Sequence, residues 1–381
     1  MDEPLLSNSK SKYISNNLYA IINILNLLIG IGCLSLPYAF SQGGWISIIF
    51  LFIIVLITNH TAKIIAEFTT IYNTKNYQEI AEIVFGKKIG IFIKYLVCFE
   101  LYLVSVSYLI IIGDNLEKLF PNINNKLLVL SGFLVTLPTI CIRKINILSY
   151  FSIIGVITYI ILLVNIIYTG IINDLFKNPN TTLVTNIKDT TNIFGLFIIC
   201  FGGHAVLPSI FINISNSNKL KNIIDIPYYI SVTFYLIYGF CGYLMFGNQV
   251  KPEITLNLDD NDLFTKITIG LVIINPIVTT SLILYPVLET IEADLYKSYS
   301  IRVFVYTLAL GISYIIPNFT FILTLFGCIA TYFISIIFPL LVYIKIYKDS
   351  ISKNRYSTYI FIIIISIIFS IIGLISIIIN T

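Results

Sequence analysis

The sequence predicts an all-α integral membrane protein of about eleven transmembrane helices, and three observations carry that prediction. Hydrophobic residues make up 57% of the 381 positions and charged residues only 11%, where an ordinary soluble protein carries about 25% charged residues. Apolar runs recur along almost the whole chain, at the roughly 20-residue length that crosses a hydrocarbon layer about 30 Å thick. The connecting segments between them carry lysine and arginine with a consistent alternation. Helices satisfy this pattern because every backbone polar group inside lipid must find its partner within its own segment.

The first five spans fall near 18–41, 45–71, 90–119, 126–142 and 147–170. The remaining six fall near 190–213, 224–246, 263–291, 300–317, 319–346 and 356–380. Residues 1–17 read as a cytoplasmic tail and 18–380 as one transmembrane domain. The first apolar run is long enough to span, so it reads as a targeting signal that stays in place and not as a cleaved leader. Cytoplasmic loops of membrane proteins are enriched in lysine and arginine. With the N-terminus cytoplasmic, 17 of the 23 such residues fall on the inner side, and an odd number of spans puts the C-terminus on the lumenal or extracellular side. The same topology places the sequon Asn180-Thr181-Thr182 outside, making Asn180 the glycosylation candidate. Residues 76–88 read as a cytoplasmic surface helix with Ile80, Ile83 and Val84 on its apolar side. The loops 171–189 and 247–262 are the largest outer segments, and read either as a lid or as solvated connectors.

Composition also excludes functions. A net charge of +4 scattered over many loops does not suit nucleic acid. The six cysteines (Cys33, Cys98, Cys141, Cys200, Cys241, Cys328) sit in apolar stretches without CxxC spacing, so neither a disulfide framework nor a metal site is expected. No phosphate loop or nucleophile elbow is present, and Ser35 and Ser209 lack the context of a triad. No cofactor is therefore expected beyond a coupling ion, a proton or Na+.

Two spans carry an internal signal. The first contains LLIGIGCLSLPYAF, where Gly30, Gly32 and Pro37 interrupt an apolar helix, and the sixth contains ICFGGHAVLPSIF with Gly202, Gly203 and Pro208. From Gly32 to Pro37 the pattern is G-x-x-x-L-P, and it recurs from Gly203 to Pro208. The two segments cross in opposite directions, the arrangement of a five-helix inverted repeat that binds its solute between two discontinuous helices. Both breaks lie roughly 20 Å from the edge at which their helix enters, near mid-membrane. Glycine leaves its backbone bare and proline removes a donor. The amides opening each half-helix then suit a carboxylate, and the freed carbonyls suit an ammonium or a cation. The competing reading is that the glycines only let neighbouring helices approach closely.

Ionisable and polar residues at depth add candidates for coupling. Glu100 is the only acid well inside a span, and a carboxyl there is costly in its charged form, the property on which a proton relay depends. It reads equally as a structural pin bonded through Tyr102 or Ser105. His204 adjoins the second break and belongs to the residue type that titrates near neutrality. In the eighth span, Asn275, Pro276, Thr279, Thr280 and Ser281 could coordinate a cation or repair the proline kink, with Asn275 and Thr279 the coupling candidates.

These residues resemble the amino acid/auxin permease family, and within it the vacuolar amino acid transporters of plants and fungi and the vesicular inhibitory amino acid transporters. The carrying stretches are NLLIGIGCLSLPYAFSQGGW (26–45), FELYLVSVSYLIIIGDNLEKLFP (99–121), CFGGHAVLPSIF (200–211), GYLMFGNQVKPEITLNL (242–258) and TKITIGLVIINPIV (265–278). The resemblance implies a LeuT/APC-like fold of two five-helix inverted repeats plus an eleventh helix, with helices 1 and 6 discontinuous. It implies proton-coupled amino acid transport across a vacuolar, lysosomal or vesicular membrane, with no enzymatic activity. By position in the motifs it implies substrate-backbone contacts at Gly30, Ile31, Gly32, Cys33, Phe201 and Gly203. The chain departs from that branch in opening without a long acidic N-terminal domain, and its DEPLL start reads as a short acidic dileucine signal. The expected partners are a small neutral amino acid and membrane lipid, with the oligomeric state left open. A sodium-coupled plasma-membrane symporter and an amino acid sensor with little flux are the alternative functions.

Overall fold

The computed structural model describes residues 17–18, 20–141, 151–177, 180–185, 190, 193–211, 220–259, 262–291 and 295–380. The N-terminal tail, its DEPLL run and the Arg143-Lys144 pair lie outside them. Among the described residues all regular structure is helical, and nine helices are long and apolar enough to cross a membrane. Two shorter apolar helices, Asn125–Ile140 and Tyr299–Ile315, stand where the sequence places the fourth and ninth spans.

The first span, Ala20–Gly43, is not one helix. α1 (20–28) ends in a bend at residues 29–30, a 3₁₀ turn follows over Ile31–Ser35, and α2 (Leu36–Gly43) resumes with Pro37 in its first turn, where a missing N–H costs nothing. α3 (Ser47–Tyr72) leads to α4 (Tyr77–Phe85), the surface helix expected near 76–88. Asn76 caps it by accepting from the Glu79 amide at 2.9 Å. Its inward stripe is Tyr77, Ile80 and Ala81, with Val84 at the margin. Ile83, expected on that side, is exposed, because it lies about 110° around the helix from the centre of the 77/80/81/84 stripe.

α5 (Lys87–Leu119) is the longest element. At about 1.5 Å per residue it reaches roughly 50 Å, beyond the hydrocarbon thickness. It therefore packs against α4, α6 (Asn125–Ile140), α11 (Leu263–Ile291), α12 (Leu295–Ile315) and α13 (Phe319–Phe326), and carries its last turn to the face bearing residues 180–185 and 247–259. We refer to that as the loop face.

The sixth span, Ile193–Phe211, is also interrupted. α8 (Ile193–Cys200) stops at Phe201, a 3₁₀ turn occupies His204–Val206, and α9 (Leu207–Phe211) continues from Pro208. α10 (Leu220–Phe246) flanks the broken helices, meeting α2 along Gly239 and Gly242 against Phe40 and Pro37, and α7 (Phe151–Ile172) packs on α10 and α11 and meets α1 where Gly155 faces Asn26. The tenth span holds a second irregularity, not read in the sequence. Between α13 and α14 (Phe338–Ile346) the chain winds as π-helix over Gly327–Thr331 and Phe333–Ile337. That span is 78% buried, whereas α15 (Lys353–Asn380) is 28% buried over its apolar window and lies at the periphery.

Candidate functional site

The two interruptions meet. An added Cβ at Gly32 would come within 3.3 Å of the Cys200 Cα and N and 3.0 Å of its Sγ, tight enough to press on the end of α8, so glycine lets the first break lie closely on it. Gly203 sits at φ +80°, the left-handed region that glycine enters without penalty. Gly30, in extended backbone, opens the 31–35 turn, and Cys33 N–H donates to its carbonyl at 3.0 Å. The sequence-predicted contacts Ile31, Gly32, Cys33 and Phe201 are all buried, and Gly30 and Gly203 are half-buried beside them.

Breaking a helix inside an apolar bundle frees carbonyls that need donors. Tyr235, on α10, supplies one to both helices: its hydroxyl stands between the Leu28 carbonyl of the first span and the Cys200 carbonyl of the sixth, the latter at 3.1 Å. Its ring meets Phe201 edge-on at 5.3 Å, while Tyr228, two turns away, stacks on Phe201 at 6.1 Å. Tyr228, Ser231, Tyr235 and Tyr238 are buried at three- to four-residue spacing on one face of α10. The hydroxyls of Ser231 and Tyr238 have no hydrogen-bond partner. This polar stripe was visible as a helical period in YYISVTFYLIY.

His204 is fully buried and fixed by α3. Thr61 Oγ1 donates to the Ser335 carbonyl at 2.6 Å, and His204 Nε2 lies 3.1 Å from both Thr61 Oγ1 and the Thr58 carbonyl. A carbonyl only accepts, so Nε2 carries a proton toward Thr58. Nδ1 has no partner. Thr61 thus ties the second break to the π-helical segment, whose wider winding exposes carbonyls to side chains. Tyr77 donates to Ile334 O at 3.2 Å and Ser370 to Cys328 O at 2.6 Å in the same way.

Glu100 is buried, and its partner is neither Tyr102 nor Ser105. Thr331, closing the first π-turn, donates to Glu100 Oε1 at 2.5 Å. Ser105 instead donates to the Tyr102 carbonyl within its own helix, at 2.6 Å, as hydroxyls three residues along a helix do. Asn275 is buried with Oδ1 unpaired, and Gly155 of α7 packs against it and Asn26. Thr279 and Thr280 donate to the Asn275 and Pro276 carbonyls at 2.7 and 2.6 Å, four residues back along their own helix, as helical threonines commonly do. Asn180 is exposed, and the adjacent residues pack on the loop face, with Trp45 Nε1 donating to Thr181 Oγ1 at 3.2 Å. A 660 Å³ cavity opens on the loop face beside Asp114 and Tyr314, and a 340 Å³ cavity between Lys63 and Lys221, neither reaching the breaks.

A bundle whose two discontinuous helices meet at buried, partly unpaired polar groups is built to hold a small solute. The model of the "Transmembrane amino acid transporter protein" family matches residues 14–379. The chain belongs to that family of transporters. It is 29% identical to the amino acid transporter AVT1I of Arabidopsis thaliana, over 86% of this chain and 85% of that protein. It is 25% identical to the sodium-coupled neutral amino acid transporter 7 of Danio rerio, over 93% of this chain and 84% of that one. Among solved structures it is similar in fold to MhsT in complex with L-phenylalanine, with a TM-score of 0.59 at 14% identity, covering 94% of this chain and 98% of that one. A manganese transporter of Eremococcus coleocola gives a TM-score of 0.56 at 11% identity over 96% and 95% of the two chains. The all-helical, LeuT/APC-like architecture and the transport of amino acids stand on these matches.

Proposed function

We propose that this transporter carries neutral amino acids in exchange with or together with protons, across a vacuolar or endolysosomal membrane, with the loop face lumenal. The observation that carries the reading is the meeting of the two broken helices at Gly32 and Cys200, where main-chain groups of opposite polarity can hold the two ends of a zwitterion. The side chains around them (Ile31, Cys33, Phe201, Tyr235, Tyr238) carry no fixed charge, which suits an uncharged substrate side chain. Glu100 and His204 are the coupling groups: both are buried, and both bond through hydroxyls (Thr331, Thr61) of the segments around the π-helix. A second reading, sodium coupling, draws on the unpaired Asn275 Oδ1 beside Pro276 of α11 and on the likeness to the sodium-coupled transporter of zebrafish.

Proteoliposomes separate the two. Uptake of a labelled neutral amino acid is expected to follow an imposed pH gradient without sodium, and Glu100→Gln, which keeps a partner for Thr331, to flatten the pH dependence by about tenfold across its steepest part. Uptake that needs sodium and ignores pH would replace the proton reading with the second one. An unchanged pH profile in Glu100→Gln would return that residue to a structural role.

A further inference from the structure

A carboxyl cluster outside the breaks lies under the loop face. The last turn of α5 presents Asp114, Asn115, Glu117 and Lys118, and the connection between α10 and α11 presents Glu253, fully buried. Glu253 Oε2 accepts from Asn115 Nδ2 at 2.6 Å, and Oε1 has no partner. The Glu253 carboxyl faces that of Asp114 within hydrogen-bonding reach. Asp114 accepts from Asn125 Nδ2 at 3.1 Å, an amide that also donates to Glu117 Oε2 at 2.6 Å.

The count of protons does not close. Asn115 donates once to Glu253 and once to the Ile111 carbonyl at 2.9 Å, so its amide has nothing left for Glu253 Oε1. Its own Oδ1 and the Thr255 hydroxyl, both in fully buried residues, are unpaired as well. Two ionised carboxyls offer each other only acceptors, and buried acceptors without donors are costly. One proton between Asp114 and Glu253 removes both problems. Among the ionisable groups nearby, Lys118 donates to the Thr255 and Leu258 carbonyls, and Lys251 to Leu256 O at 3.2 Å. Asp259 lies at the end of the same connection, and Tyr159 of α7 faces Glu253. Residues 254–257 form a 3₁₀ turn that packs directly on the 31–35 turn, which brings Cys33.

We propose that Asp114 and Glu253 bind a single proton between them, and that this proton latches the 254–257 turn over the unwound start of the first span. With the proton in place the pair is joined by a hydrogen bond and the turn covers Ile31–Ser35. Without it, two buried like charges repel and the turn lifts from the break. Burial, and then the Asp114 charge, push the Glu253 carboxyl above the ordinary carboxylate range, so the latch opens nearer neutrality than a free carboxyl would. The latch gives access control to the transport reading, on which it rests for its biological meaning.

The test needs no flux, so it can fail independently of that reading. In lipid nanodiscs, alkylation of Cys33 by uncharged iodoacetamide is followed by peptide mass from about pH 5 to about pH 8. The wild-type rate is divided by that of Glu253→Gln, which cancels the ionisation of the thiol itself. The ratio is expected to climb about tenfold per pH unit while the one proton is lost, then level off. Asp114→Asn, which removes the like charge by another route, is expected to lie flat against Glu253→Gln. A ratio that does not change with pH, an Asp114→Asn protein that keeps the full wild-type slope, or a rate set by added sodium at fixed pH would each overturn the proposal.

Discussion

The two broken helices carry the same spacing, and they are held differently. Aligning G-x-x-x-L-P puts Gly32 opposite Gly203 and Cys33 opposite His204. At the first break the glycine serves close approach: the backbone of Cys200 fills the space a side chain would take. At the second it serves conformation, since Gly203 turns through the left-handed region while its nearest neighbour is the Leu27 side chain at 3.3 Å. The residue that follows differs accordingly. The 31–35 turn that carries Cys33 packs on the 254–257 turn of the loop face, and His204 is bonded into α3 and lies against the π-helix. One break therefore adjoins a peripheral turn and the other the most buried span, and this asymmetry is what the first-to-sixth repeat in the sequence conceals.

Valine substitutions press on that difference hardest. Gly32→Val forces two stretches of backbone apart, and overpacking of this kind costs about 1–3 kcal/mol. Uptake per molecule in the membrane is expected to fall by about a hundredfold or more. Gly203→Val strains a left-handed residue by about 1–2 kcal/mol and presses on Leu27 through its Cβ at 3.3 Å. Asparagine tolerates that conformation, so Gly203→Asn is expected to recover part of the activity that Gly203→Val loses. The corresponding Gly32→Asn is expected to recover none. Equal uptake by the two asparagine variants would show that the glycines do the same job.

A smaller effect is expected where the two breaks share a residue. Tyr235→Phe removes the hydroxyl between the Leu28 and Cys200 carbonyls and leaves them without it in an apolar setting, at a cost of about 1–3 kcal/mol. Uptake is expected to drop about tenfold, with the midpoint of thermal unfolding lowered alongside. Unchanged unfolding with reduced uptake would place Tyr235 on the substrate and not on the backbone.

Most of the architecture was legible because hydropathy and helix-breaking residues act locally. Runs of twenty apolar residues, and glycine and proline set inside them, fix spans and interruptions without reference to neighbours. The partners were not legible, since each is set by packing between distant segments. Glu100 meets Thr331 across 231 positions and Asn115 meets Glu253 across 138. The π-winding at 327–337 has no composition signal of its own. The carbonyls of Ser335 and Ile334 that Thr61 and Tyr77 reach lie within it. Glu253 sat in a segment that reads equally as solvated loop, and only its burial set it apart.

The finest difference between the breaks concerns pH, because a titrating pair covers only the first. Glu253 is held above its unfolded value of about 4.3 by burial and then by Asp114. The folded state therefore binds more protons than the unfolded one over the interval between the two values, and stability must fall as pH rises through it. For one proton the slope cannot exceed about 1.4 kcal/mol per pH unit. Glu253→Gln removes the titration and retains the shape, so its unfolding midpoint in detergent is expected to depend less on pH than that of the wild type, with the two curves closest at the acid end. Curves that stay parallel from acid to neutral pH would mean that Glu253 holds the same proton in both states, and the first break would then be as indifferent to pH at its cover as the second.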